Sequence, residues 1–351
     1  MVAISGHYRF VVYRSIDRIF FWFGFGSLYL HHILKSFIDH IRKCPIFHKK
    51  VSTSIHNLNA DKKLGRFKKI AYFVLNFINN LFPTNRIDPS VELCLFNLTS
   101  SKNYFEKIDQ MGSPSRILSQ LFLVNLPWLD IKKELGNINI LDIGCGSGLY
   151  GERLSDYSGG LISSYKGIDI TENPMWKDLK LKHSNFSFEQ IKDEDILSCI
   201  PPKTNLFFSQ SSLEHLDDIS YFNQIKEYTE KYKEPIIQIH LVPAPFGLWL
   251  YLLHGIRQYT PRNISKLTRI FNKNDRRIIY QLGGKYCNRV HFKFITWPSL
   301  IMKIGDKRKS QPMMYKKALE DAITKDQKNG LKHPAFYAFI IHSHLDNKNV
   351  F

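Results

Sequence analysis

INILDIGCGSGLYG, from Ile138 to Gly151, is the stretch on which the fold turns. Ile138, Ile140 and Leu141 form a short apolar run with β-branched character, followed by an acid and then by glycines at Gly144, Gly146 and Gly148. A buried strand that feeds the backbone into a glycine-rich turn, which in turn opens a helix, reads this way. Glycine suits the turn because a residue without Cβ takes left-handed φ values and lets a ligand approach the main chain. The helix expected from Leu149 to Tyr157 points its N-terminal amides and positive dipole end at whatever lies over that turn.

Two ligand classes fit such a turn. Gly146-x-Gly148-x-x-Gly151 matches the dinucleotide fingerprint, but that register strands Asp142 inside the strand with no role. Read as Asp142-x-Gly144-x-Gly146-x-Gly148, the acid falls at the strand's carboxyl end, where open α/β sheets bind ligands. In that register LDIGCGSG resembles the first motif of the class I S-adenosylmethionine-dependent methyltransferases. Further along, Ser164–Ile170 reads as a strand ending near Asp169, 21 residues beyond Gly148. An acid at that place can accept hydrogen bonds from ribose hydroxyls. Strands are also expected at 186–191, 205–210, 235–241 and 290–295. After the strand expected at 205–210, Leu213-Glu214-His215 reproduces the "LEH" of the family's fourth motif. A last strand at 334–342 follows a helix at 312–325, and in the family it inserts antiparallel beside the preceding one.

The resemblance spans roughly residues 100–342. It implies a doubly wound α/β fold, a seven-stranded and mostly parallel Rossmann-like sheet, with S-adenosylmethionine over the carboxyl ends of the first strands. On that basis Gly144, Cys145, Gly146 and Gly148 pack against the cofactor, and Asp142 orients its methionine end. Asp169 and Ile170 hold the ribose, Asp193 lies near adenine, and Ser209 and Gln210 border the sulfonium. A hydroxyl acceptor needs a general base in addition, and His215 and His240 are the candidates because neutral imidazole can take a proton near pH 7. The excursion at 242–289 is too long for an ordinary connection and reads as a substrate cap. Its Trp249, His254, Arg257 and Tyr259 offer flat apolar faces with polar tips, suited to a sugar ring, with Arg257 able to clamp a phosphate or carboxylate. The segment also resembles methyltransferases of bacterial surface-glycan clusters, which implies O-methylation of a glycan or lipid-linked sugar precursor.

The chain has 351 residues and a formal net charge of +18, of which residues 1–90 supply 14 Lys and Arg against four acids. That excess favours anionic partners such as a membrane surface. Residues 19–30 (IFFWFGFGSLYL) are uncharged but too short to span a bilayer, and with their basic flank they suit an interfacial helix or a packed one. Residues 1–99 are therefore expected to form a basic, aromatic-rich and mainly helical appendage to a domain at 100–351. The five cysteines are scattered without a CxxC pair, so neither a metal site nor a disulfide framework is expected, and a reducing cytoplasm is the default, with peripheral contact at the inner membrane face. Nucleic acid is a poor fit because no RNA-binding motif is present. A methyltransferase acting on another small molecule, a lipid or RNA, a nicotinamide-dependent oxidoreductase, and a non-catalytic, membrane-associated binding protein remain as alternatives.

Overall fold

The computed structural model describes residues 84, 87–96, 111–191, 195–245, 259–329, 333–344 and 350–351. Of the appendage expected at 1–99, residues 1–83, 85–86 and 97–99 lie outside the described residues, as do Asp193, Trp249, His254 and Arg257.

Eight strands form one sheet: β1 (Val91–Leu95), β2 (Ile138–Ile143), β3 (Ile162–Asp169), β4 (Phe186–Gln190), β5 (Leu206–Gln210), β6 (Ile236–Pro243), β7 (Arg276–Leu282) and β8 (Phe336–Ser343). Their order is β1-β7-β8-β6-β5-β2-β3-β4. Only β8 runs against its neighbours, inserted antiparallel between β6 and β7 as expected for the last strand. The helices used below are α1 (Pro114–Val124), α2 (Trp128–Leu135), α3 (Leu149–Tyr157), α4 (Met175–Lys182), α5 (Asp218–Tyr232), α6 (Pro261–Leu267), α7 (Lys285–His291), α8 (Lys307–Ser310) and α9 (Pro312–Asn329). Among the described residues no helix is long and apolar enough to cross a membrane.

The sheet differs from the expected seven strands in two ways. β1 adds an eighth strand from upstream of residue 100, pairing parallel with β7. Charge holds it there: Arg276 donates to both Glu92 oxygens at 2.8 and 3.1 Å, and buried Arg277 lies 3.5 Å from Asp88. Hydrogen bonds from Ser90, with the Arg277 charge behind them, hold the Asp88 carboxyl below its usual range. The second difference is a correction. Val290–Ile295 is not a strand but the end of α7 running into a π-helical segment, Phe292–Ile301. Its apolar residues alternate at 290, 292 and 294, which imitates a strand. The buried set, Cys287, Val290, Phe294 and Ile295, follows helical spacing instead. The strand itself is β7, inside the excursion read as a cap, so part of that excursion belongs to the sheet.

Period-two alternation divides the sheet into two buried faces. Ile138 and Ile140 of β2, Leu206 and Phe208 of β5, and Ile237, Ile239 and Leu241 of β6 pack on the face covered by α1, α2, α3, α7 and α9. Leu141, Ile143, Phe207, Ile236 and Val242 pack on the other face, under α5 and α6. The site takes its side chains from the first of these faces.

The start of α7 hangs on one carboxylate. Asp326 of α9, 1% exposed, accepts from the backbone N–H groups of Gly284 and Cys287 at 2.9 Å and of Tyr286 at 3.1 Å. Those are helix N-terminal donors with no intrahelical partner. Asp326→Ala leaves three buried donors unsatisfied, so urea unfolding should show a loss on the order of 3 kcal/mol. A loss below about 1 kcal/mol would mean that water replaces the carboxylate and the anchor is dispensable.

Candidate active site

β2 delivers the chain into the glycine turn as expected, with Gly144, Gly146 and Gly148 at φ of +71°, +54° and +80°. Two of these glycines are there for packing. A Cβ at Gly144 would lie 2.3 Å from Ser212 Cβ, and one at Gly148 would lie 2.3 Å from Phe188 Cε1. Gly146 is different, because a Cβ there meets nothing within 4 Å. Its backbone is pinned instead: its N–H donates to Asp169 Oδ2 and its carbonyl accepts from Trp176 Nε1, both at 2.8 Å. Trp176 in turn stacks on Phe188, with centroids 5.5 Å apart.

The open side of the turn faces a cavity of about 620 Å³ at the carboxyl ends of β2, β5 and β6. Asp142, the glycine turn, Tyr150 and Arg153 line it, as do Ser113, Ser115 and Arg116 at the start of α1. Gln210, Glu214 and His215 follow from β5 and its loop, and Pro243, Leu300, Ala335 and Phe336 make the apolar part. α1 reaches the cavity because Ser113 caps it, accepting from Arg116 N–H at 3.4 Å, with Pro114 at the first helical position.

The electrostatics centre on Asp142. Its side chain is 1% exposed and accepts a 2.5 Å hydrogen bond from Tyr165. Burial pushes its carboxyl up to about 7, against the opposing pull of the Tyr165 bond, and the Asp169 charge adds to the rise. A carboxyl held near neutrality in a cavity is a receptor for a cation, since an ammonium or sulfonium nearby favours its ionised form. On the same lining, Arg116 and the Ser113 and Ser115 hydroxyls supply donors for an anion. Glu214 is 3% exposed beside the exposed His215, whose backbone N–H donates to the Ser212 carbonyl at 2.9 Å. Arg153 stands 5.3 Å from the Tyr150 ring centroid, a cation–π distance. Cys145 lines the cavity as a buried thiol, pushed up by burial and by the Asp142 and Asp169 charges, so it is a poor nucleophile.

The residues expected from sequence divide accordingly. Asp142, Gly144, Cys145, Gly146, Gln210 and His215 line the cavity. Gly148 shapes the turn from behind, and Asp169 braces it, its other oxygen accepting from Thr171 N–H at 3.1 Å. Ile170 is exposed and is not part of the wall. Ser209 and His240 are not brought to the cavity. By the alternation of β5 and β6 they point to the α5 face, where they bond each other at 2.8 Å among Tyr221, Phe222 and Phe339. Burial drives His240 down to about 3, which leaves it a neutral core residue rather than a base facing substrate. Tyr259 is likewise fully buried, its hydroxyl 2.9 Å from Asp218 and 3.1 Å from the Leu213 carbonyl, and it braces the Leu213–His215 loop from behind. Sequence reasoning missed Arg116, Tyr150, Arg153 and Glu214. Glu214 could have been found, since it sits inside the LEH motif. Among the described residues no group of three or more His, Cys, Asp or Glu side chains could hold a metal.

No family model matches the chain. It is 34% identical over 106 residues to ubiquinone biosynthesis O-methyltransferase of Pelagibacter ubique (strain HTCC1062), covering 29% of this chain and 40% of that protein. The enzyme of the same name from Paraburkholderia phytofirmans is 31% identical over 102 residues, covering 28% of this chain and 42% of that one. The chain therefore spans less than half the length of the curated relatives it matches. Among solved structures, the plantazolicin methyltransferase BamL is 16% identical with a TM-score of 0.42, over 70% of this chain and 90% of that one. A SAM-dependent methyltransferase from Archaeoglobus fulgidus is 18% identical with a TM-score of 0.39, over 70% of this chain and 100% of that one. Structural likeness at that level carries no argument about the site.

Asp142 gives the protein a pH signature. Its folded value near 7 lies above an unfolded carboxyl near 3.9, so between those limits the folded chain holds a proton that the unfolded chain has lost. Stability from this group is therefore highest below about pH 4 and falls as pH rises to about 7. Asp142→Asn keeps an acceptor for Tyr165 but does not titrate. Urea unfolding from about pH 5 to about pH 8 should show the parent losing on the order of 3 kcal/mol relative to the variant. Parallel pH profiles would contradict the raised carboxyl.

Proposed function

We propose that the protein is an S-adenosylmethionine-dependent O-methyltransferase. One observation carries the reading: the open glycine turn faces a cavity lined by a buried, near-neutral carboxyl and by an arginine with two serine hydroxyls. A molecule that ends in an amino acid zwitterion and carries a sulfonium fits that pairing of acid and cation. Asp142 receives the ammonium, and Arg116 with Ser113 and Ser115 receives the carboxylate. The missing Cβ at Gly146 leaves the backbone open to close approach. Asp169 keeps the turn in shape and retains lone pairs for hydroxyl donors. The local identity to curated O-methyltransferases supports the same reading. A nicotinamide dinucleotide suits the site less well, because its pyrophosphate would lie beside Asp142 and Asp169.

When bound, S-adenosylmethionine supplies a methyl group on a positive sulfur, so that alignment of the acceptor accounts for much of the rate. The chain's part is to place the acceptor and to take its proton. His215, exposed on the cavity wall, is the base, and the buried Glu214 next to it in the chain lines the same cavity. Leu300, Phe336 and Pro243 give the acceptor an apolar wall, while Arg153 and Tyr150 offer polar and aromatic contact. We further propose a glycan or lipid-linked sugar as the acceptor class. The composition of residues 246–258 supports it, with Trp249, His254 and Arg257 in one short stretch, as does the meeting of apolar and polar walls in the cavity.

With tritiated S-adenosylmethionine and lipid and glycan extracts as acceptor source, His215→Gln should lose about 10²–10⁴-fold in transfer while its affinity for S-adenosylmethionine stays unchanged. His240→Gln, substituted in the core, should lower stability but leave transfer by the folded fraction intact. Full transfer by His215→Gln would remove histidine from the mechanism.

A further inference from the structure

We propose that the surface built by the π-helical segment, α8 and the first turn of α9 docks the protein on an anionic lipid bilayer, with the mouth of the cavity at the bilayer surface. This inference stands on surface chemistry and does not depend on methyl transfer. Phe292, Trp297, Ile301, Met302, Ile304 and Met313 are all exposed, Ile304 at 65% and Met313 at 77%. Soluble surfaces rarely gather so many large apolar side chains in about twenty residues. Phe292 and Trp297 hold their rings 6.0 Å apart, an aromatic pair of the kind that settles at the depth of lipid headgroups.

The charge around this apolar set identifies its occupant. From Lys285 to Lys317 there are nine lysines and arginines against one acid, Asp306, and that acid is taken up by Arg308. Protein interfaces are depleted in lysine, whereas bilayer-binding surfaces set an apolar face inside a lysine rim whose long stems reach back to the headgroups. The patch adjoins the site. Leu300 lies in the same exposed segment and lines the cavity. Arg308 donates to the Met111 carbonyl at 2.9 Å and Tyr315 to that of Gly112 at 2.7 Å, fixing the patch to the turn just before Ser113. An acceptor with a lipid tail could then enter past Leu300 without leaving the bilayer.

The test uses the full chain with vesicles of phosphatidylglycerol and phosphatidylcholine, and with phosphatidylcholine alone. One variant combines Ile301→Ser, Ile304→Ser and Met313→Ser, and a second combines Lys303→Gln, Lys309→Gln and Lys317→Gln. All six side chains are exposed, so thermal midpoints should match the parent and confirm folding. The parent should partition to the anionic vesicles. The apolar variant should lose about tenfold or more at every salt concentration. The charge variant should lose about fivefold per lysine at low salt and converge on the parent as salt screens the contribution. Should the apolar variant misfold, the charge variant decides alone. The proposal fails if the parent ignores anionic vesicles. It fails if both folded variants bind as the parent does, which would move binding to the basic residues at 1–90. It fails equally if the apolar variant only dissociates a dimer, which would make the patch a contact between copies of the chain.

Discussion

Asp142 is a carboxyl group denied water, and much of the site follows from that. It stands on the last even-numbered position of β2, so the pleat that sends Ile138 and Ile140 into the core sends it into the cavity side of the same face. Tyr165 supplies its only described hydrogen bond, and the glycine turn begins two residues later. The turn is itself over-determined. Ser212 and Phe188 leave no room for a Cβ at Gly144 or Gly148, while Asp169 and Trp176 pin both polar groups of Gly146. Asp169 is thus held near the same loop, and its charge adds to the cost that burial puts on ionising Asp142. A cation in the cavity relieves that cost.

The same alternation separates what chemistry can use from what it cannot. Gln210 ends β5 on the cavity side, and its Oε1 has no hydrogen-bond partner among the described residues. One residue earlier, Ser209 faces the opposite side and satisfies His240 within a wall of aromatic rings. A strand-end residue therefore belongs to the site or to the core by parity alone.

Much of this was legible in the sequence. The glycine turn and the helix at 149–157 rest on a local signal, glycines after an apolar run, and the antiparallel last strand was implied by the family resemblance. Four features were not legible, for identifiable reasons. Val290 to Phe294 carries a pattern compatible with strand and helix, and what settles it is Asp326, some forty residues away, capping the helix start. His240 looked like a base because its residue type is suited to one, but which face of β6 it occupies depends on register. The eighth strand depends on ion pairs between Glu92 and Arg276 and between Asp88 and Arg277, partners more than 180 residues apart. Arg116 gave no signal of its own, because only the folded α1 brings it to the cavity that the glycine turn lines.

The central claim is that the cavity takes S-adenosylmethionine with its ammonium on Asp142. Calorimetric titration of the full chain with S-adenosylmethionine at about pH 6, in two buffers of different ionisation enthalpy, tests it directly. With a carboxyl near 7 in the free protein, Asp142 is mostly protonated at that pH and must ionise to pair with the ammonium. The account predicts binding accompanied by release of about one proton, with affinity rising as pH approaches 7. Binding without proton release, or no binding at all, would contradict it.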